Sequence, residues 1–232
     1  MSTQLRIAIY VIVGICLVAV AGKSGATSQR AGSDGGAQYR LSQAEADRAN
    51  VGVLTDAQRA RSFTFAPGSA PDEQRVFVSA VASARPEARR LVDLVDGLVT
   101  VHFERPPGDA TIGLTRFDGA DYDVFIGLRE VIARYGAREG GAIVMHELGH
   151  VVDIALVPDT LVNELDRDIP VGENCRGDGQ TVGACAPIEE RFADTFSKWA
   201  VDDLGVNLSS GYRILPPVPL ERWGRPLAGL TP

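Results

Sequence analysis

The stretch from Arg138 to Leu156 constrains the fold of this chain more than any other. It reads as one helix ended by Pro158, and Ile143, Val144, Met145, Leu148, Val151, Val152 and Ile154 make it apolar nearly all round. Such a helix belongs in the interior. Yet it also carries His146, Glu147 and His150, and ionisable groups taken out of water need partners. The spelling His146-Glu147-Leu148-Gly149-His150 suggests what the partner is. Positions i and i+4 lie one turn apart on the same helix face, so the two imidazoles can share one metal ion, with Glu147 beside it as a proton acceptor. Zinc suits imidazole nitrogen, and a catalytic zinc keeps one position open for a water whose pKa it lowers to about 7. The alternative is a pair of ordinary histidines on a half-buried helix.

Two histidines and a water leave one ligand to find. A histidine or aspartate six residues after the second histidine, with a glycine three residues before it, would mark a metzincin; Leu156 and Asp153 stand at those places, which excludes that class. His102, the remaining histidine, lies in a predicted strand, where it either reaches the site or fills a half-exposed position. A later helix, predicted from Pro187 to about Asp203, offers more. Ile188, Phe192, Phe196 and Trp199 recur on it at i, i+4, i+8 and i+11 as a core stripe. Glu190 and Asp194 share a different face at i, i+4 spacing. Two acids so stacked repel in a free helix, and a nearby cation reverses that. Glu190 can then ligate the zinc while Asp194 accepts the free ring N–H of a ligand histidine and holds its tautomer. A solvated acidic face is the alternative. Glu189 competes for the ligand role, but its i+4 partner is Ala193.

H-E-x-x-H, a long connection, then E-x-x-x-D on a helix resembles the pattern of gluzincin metallopeptidases. His-Glu-Leu-Gly-His-Val-Val-Asp followed by Glu-Arg-Phe-Ala-Asp-Thr-Phe is similar to the catalytic domain of anthrax lethal factor and its relatives, over residues 95–203 and specifically only at the two helices. The resemblance implies a small zincin-like α+β domain with one zinc, Glu190 as third ligand, Glu147 as general base and peptide bonds as substrate. One departure stands out. Those peptidases place a tyrosine shortly before the ligand glutamate to stabilise the oxyanion, and this chain has none between Tyr135 and Tyr212. Tyr212 is the candidate; otherwise zinc or His102 carries that charge. Two rivals remain: a zinc-stabilised binding or toxin-like module without turnover, closed by a fourth ligand such as His102 or Asp153, and a zinc amidase acting on a non-peptide amide.

The rest of the chain supplies context. Residues 1–21 read as a signal peptide, with Arg6 ahead of an apolar run from Ile7 and a small-x-small end at Ala19-Val20-Ala21. That run is about 15 residues, against the roughly 20 of a membrane span, and an uncleaved anchor is the alternative. The chain is therefore expected outside the cytoplasm, with membrane contact only through that segment. Cys16 would leave with it, so Cys175 and Cys185 are expected as a disulfide, with a pair of free or metal-binding thiols as the alternative. Residues 22–38 look like a flexible linker. Residues 39–70 look like a helical extension or pro-segment, and 71–232 like the catalytic domain with an irregular, Pro-rich tail.

Within that domain, helices are expected at Pro71–Ala84 and Pro86–Val95. Strands are expected at Leu98–Phe103, Thr111–Phe117 and Tyr122–Leu128, forming a mainly antiparallel or mixed sheet. The last of these is expected at the sheet edge, where an extended substrate can add as a further strand. Asp159 to Ala186 is expected to be a loop. The net charge of −7 and the lack of a long basic cluster argue against nucleic acid as a partner. A peptide or protein substrate and a monomeric chain are the expectation.

Overall fold

The computed structural model describes residues 63–106, 111–170, 186–205 and 214–230. In chain order the elements are β1 (Thr64–Phe65), α1 (Pro71–Ser83), α2 (Pro86–Asp93), β2 (Val99–His102), β3 (Gly113–Phe117), β4 (Tyr122–Ile126), α3 (Leu128–Tyr135), α4 (Ala137–Leu156), α5 (Asp159–Asp168), α6 (Ile188–Val201) and α7 (Leu220–Ala228). The class is α+β. Proline opens α1 and α2, where the missing N–H is no loss, and acidic residues follow it in each first turn. The apolar motif segment forms the one continuous helix expected of it, α4, and is buried from Ala142 to Asp153. It lies between the sheet on one side and α1, α3 and α6 on the others.

The sheet runs in the order β1-β2-β4-β3, with β1, β2 and β4 parallel and β3 antiparallel to β4. Register assigns the faces. Val101, Val124 and Thr115 stand opposite one another on the face toward α4, whereas His102, Phe125 and Leu114 line the reverse face. This order corrects the edge assignment: β4 is an inner strand, and β1 and β3 form the edges. Tyr-Asp-Val-Phe-Ile is almost continuously buried, as a strand paired on both sides tends to be, and Gly-Leu-Thr-Arg-Phe is less so.

Three helices had not been expected. The presumed loop after Pro158 begins with α5, which buries Val162 and Leu165. The Pro-rich tail contains α7, which buries Leu220, Trp223 and Leu227 at i, i+3 and i+7 despite Pro226. Helix α3 takes up the chain directly after β4, burying Leu128, Val131 and Ile132. Ahead of α1, Thr64 and Phe65 pair with Thr100 and Val101, so chain assigned to the extension contributes a strand to the sheet. The helices expected earlier in residues 39–70 lie outside the described residues, as do the two cysteines.

Helices α4 and α6 make the contact that matters for the site. A Cβ at Gly149 would lie 3.1 Å from the Ala193 Cα and 3.1 Å from the Phe196 ring, so only a glycine lets the two backbones come this close without displacement. The Ser197 hydroxyl donates to the Ala142 carbonyl across the same contact at 2.7 Å. On the far side of α6, Trp223 packs against Phe192 and Trp199 and donates its indole N–H to the Leu165 carbonyl, tying α5, α6 and α7 together.

Candidate metal centre

One turn of α4 and the first turn of α6 meet where these helices cross. There His146, His150 and Glu190 bring one ligand atom each to within 4.8 Å of one another. All three are buried. Glu190 Oε2 lies 3.5 Å from His146 Nε2, and Glu190 Oε1 lies 3.3 Å from His150 Nε2. A tetrahedral shell with zinc–ligand bonds of 2.0–2.1 Å has ligand-to-ligand edges of roughly 3.4 Å, so both spacings suit that ion. The His150 Nε2 and Glu190 Oε1 atoms are buried and, although close, lack the alignment of a hydrogen bond. Buried polar atoms are almost always satisfied, and a shared cation would satisfy these two at once. The residues therefore fit a metal ion.

Without an ion, the site is a strongly coupled charge cluster. Burial opposes the charged form of His150, but Glu190 beside it, with Glu147 and Asp153 behind, raises its pKa to about 9. Burial likewise opposes the Glu190 carboxylate, yet His150 and His146 hold its pKa far below the ordinary glutamate value. In the metal-free protein His150 therefore contributes stability fully below pH 6.5, the ordinary histidine value, and loses it as pH rises through about 9. A metal ion needs the neutral imidazole, so it competes with that proton. Zinc affinity is expected to tighten by nearly tenfold per pH unit from about 6.5 to 9 and then level off, as one-proton linkage requires. Titration calorimetry in buffers of different ionisation enthalpy measures the released proton; an affinity flat across that range would show that no proton leaves His150 on metal binding there.

Glu147 belongs to the same turn but not to the ligand group. Its carboxylate turns toward β3, where Thr115 Oγ1 lies 2.9 Å from Oε2. Burial raises its pKa, and the two histidines pull it back down. Asp194, one turn after Glu190, is fully enclosed, and its bonded partner is Lys198, whose Nζ also donates to the Ile214 carbonyl at 2.7 Å. The expected hydrogen bond from a ligand histidine to Asp194 is not formed: His146 Nδ1 is buried without a partner, and Asp194 acts on His146 through charge. Burial raises the Asp194 pKa, with Lys198 and His146 opposing.

Glu189 is half-buried and outside the ligand group, whereas Glu190 is inside it. His102 faces away from α4, bonded to Asp123 at 2.7 Å and stacked on Phe125, so it does not join the cluster. Asp153 influences His150 electrostatically without entering the ligand group. Tyr212, Cys175 and Cys185 lie outside the described residues. Three residues at the site had not been singled out: Thr115, Gly113 and Lys198. Only Lys198 carried a local signal, its i, i+4 spacing from Asp194. No family model, no curated protein and no solved structure matches this chain.

Proposed function

We propose that this chain is an exported zinc metallopeptidase with a zincin-like catalytic domain. The observation that carries the reading is that three buried side chains able to ligate a metal converge while the neighbouring carboxylate, Glu147, is held apart from them on Thr115. His146, His150 and Glu190 would hold zinc, which supplies Lewis acidity toward the scissile carbonyl and the attacking water. Glu147 takes the proton from that water and returns it to the leaving amine. Asp194, paired with Lys198, acts on His146 through charge rather than through a hydrogen bond. Among the described residues no strand pairs with the outer edge of β3, which runs beside Glu147, and an extended peptide can add there rather than on β4.

A closed structural zinc would need a fourth protein ligand such as His102 or Asp153, and neither joins the group formed by His146, His150 and Glu190. No helix among them is long and apolar enough to cross a membrane, and export rests on the N-terminal sequence alone. The test is cleavage of a random peptide library by the purified protein before chelation, after chelation and after zinc is restored. Peptide cleavage that disappears and returns supports the reading. One bound zinc with no cleavage would favour the binding module instead, and hydrolysis confined to non-peptide amides would favour the amidase.

A further inference from the structure

Strand β3 contributes two adjoining features to Glu147. At Gly113 there is no side chain, and a Cβ there would stand 2.1 Å from Glu147 Oε1, so the carboxylate occupies space that only glycine leaves open. Two residues on, facing the same way, Thr115 Oγ1 lies 2.9 Å from Glu147 Oε2 and 3.0 Å from the Glu147 backbone carbonyl. The carboxylate is thus seated with one oxygen over Gly113 and the other on Thr115.

We propose that Gly113 and Thr115 form a cradle that positions the general base, with the Thr115 hydroxyl as its positioning residue. This rests on the reading of Glu147 as that base. A threonine hydroxyl donates one hydrogen bond and accepts others, and here both of its neighbours are oxygens of one residue. While Glu147 is a carboxylate, Thr115 donates to Oε2. Once Glu147 has taken the proton from water, its own O–H can donate to Thr115 Oγ1, whose hydrogen turns to the Glu147 backbone carbonyl. When Glu147 releases its proton to the leaving amine, the hydroxyl turns back. No bond to Thr115 is made or broken and it loses no proton, so the water proton alone travels, to Glu147 and then to the amine. The side chain stays tethered throughout. A carboxylate free to rotate would spend part of its time out of line with the water, and a displacement of about 1 Å can lower a rate by roughly 10²-fold.

The test compares Thr115→Val, which keeps shape and strand preference but loses the hydroxyl, with Thr115→Ser, which keeps the hydroxyl. In the zinc-loaded protein Thr115→Val is expected to lower kcat by roughly 10–100-fold with KM and zinc content unchanged, and Thr115→Ser to restore most of it. Gly113→Ala should lower kcat in the same way by displacing Oε1. Crystal structures of the zinc-free variants give a readout independent of turnover: Glu147 leaves its position in Thr115→Val and keeps it in Thr115→Ser. A Glu147 side chain unmoved in Thr115→Val, or a kcat equal to that of the parent, would overturn the cradle. A parent that binds zinc but cleaves no peptide would overturn the peptidase reading instead, while the crystallographic comparison still decides whether Thr115 positions Glu147.

Discussion

Glu147→Gln is expected to keep its zinc and to cleave peptides about 10²–10⁴-fold more slowly, the usual worth of general acid–base assistance. The substitution isolates proton transfer. Glutamine matches glutamate in size, and its amide oxygen can still accept from Thr115 Oγ1, now 2.9 Å from Oε2. Its NH2 group fits the space over Gly113, where the second oxygen sits. The ligands are not touched, because Glu147 lies outside the group formed by His146, His150 and Glu190. What disappears is a group able to accept a proton from water. Metal analysis and steady-state kinetics on the same preparation separate the outcomes: parental turnover would mean that Glu147 is not the base, and lost zinc would mean that it is needed to hold the ion.

His150→Ala should lose most of the zinc, from about one ion per chain, because two remaining protein ligands hold it poorly. The position is sensitive for a second reason. Glu190 is almost fully enclosed, and His150 is the strongest of the influences that keep its carboxylate charged. Removing the imidazole leaves that charge with His146 alone, so the variant should also melt at a lower temperature in the absence of metal. Asp194→Asn is the graded control. It leaves the three ligands in place but removes both the charge behind His146 and the partner of buried Lys198, so zinc affinity should weaken without vanishing and the melting temperature should fall as well. Zinc content measured by atomic absorption decides, and a parental content in His150→Ala would remove the metal centre itself.

The legible parts of this protein were those with a short-range pattern. Helix α4 could be recognised because its apolar residues run all round and ionisable side chains there need a partner. Helix α6 could be recognised because its core stripe and its acidic pair fall on separate faces. Helix α7 was hidden because its three anchors, Leu220, Trp223 and Leu227, are set among prolines that read as irregular chain. Helix α5 was hidden by polar residues that suit a loop as well as a short amphipathic helix.

Strand order is a different matter. Pairing depends on which distant segments meet, and nothing within Tyr122–Ile126 says that Val99–His102 lies on one side and Gly113–Phe117 on the other. The support of Glu147 was illegible for the same reason, since Thr115 and Glu147 are 32 residues apart and a threonine in a strand is ordinary. By itself the sequence determined the ligand helix, its burial and the face on which two imidazoles align, because helical periodicity is local and the cost of burying charge applies to any fold. Tertiary structure decided that Glu190 rather than Glu189 completes the cluster, that Asp194 bonds to Lys198, and that an edge strand seats Glu147. Those outcomes depend on the close approach of two helices at Gly149 and Ala193 and on a strand passing over one carboxylate, contacts that exist only once the chain has packed.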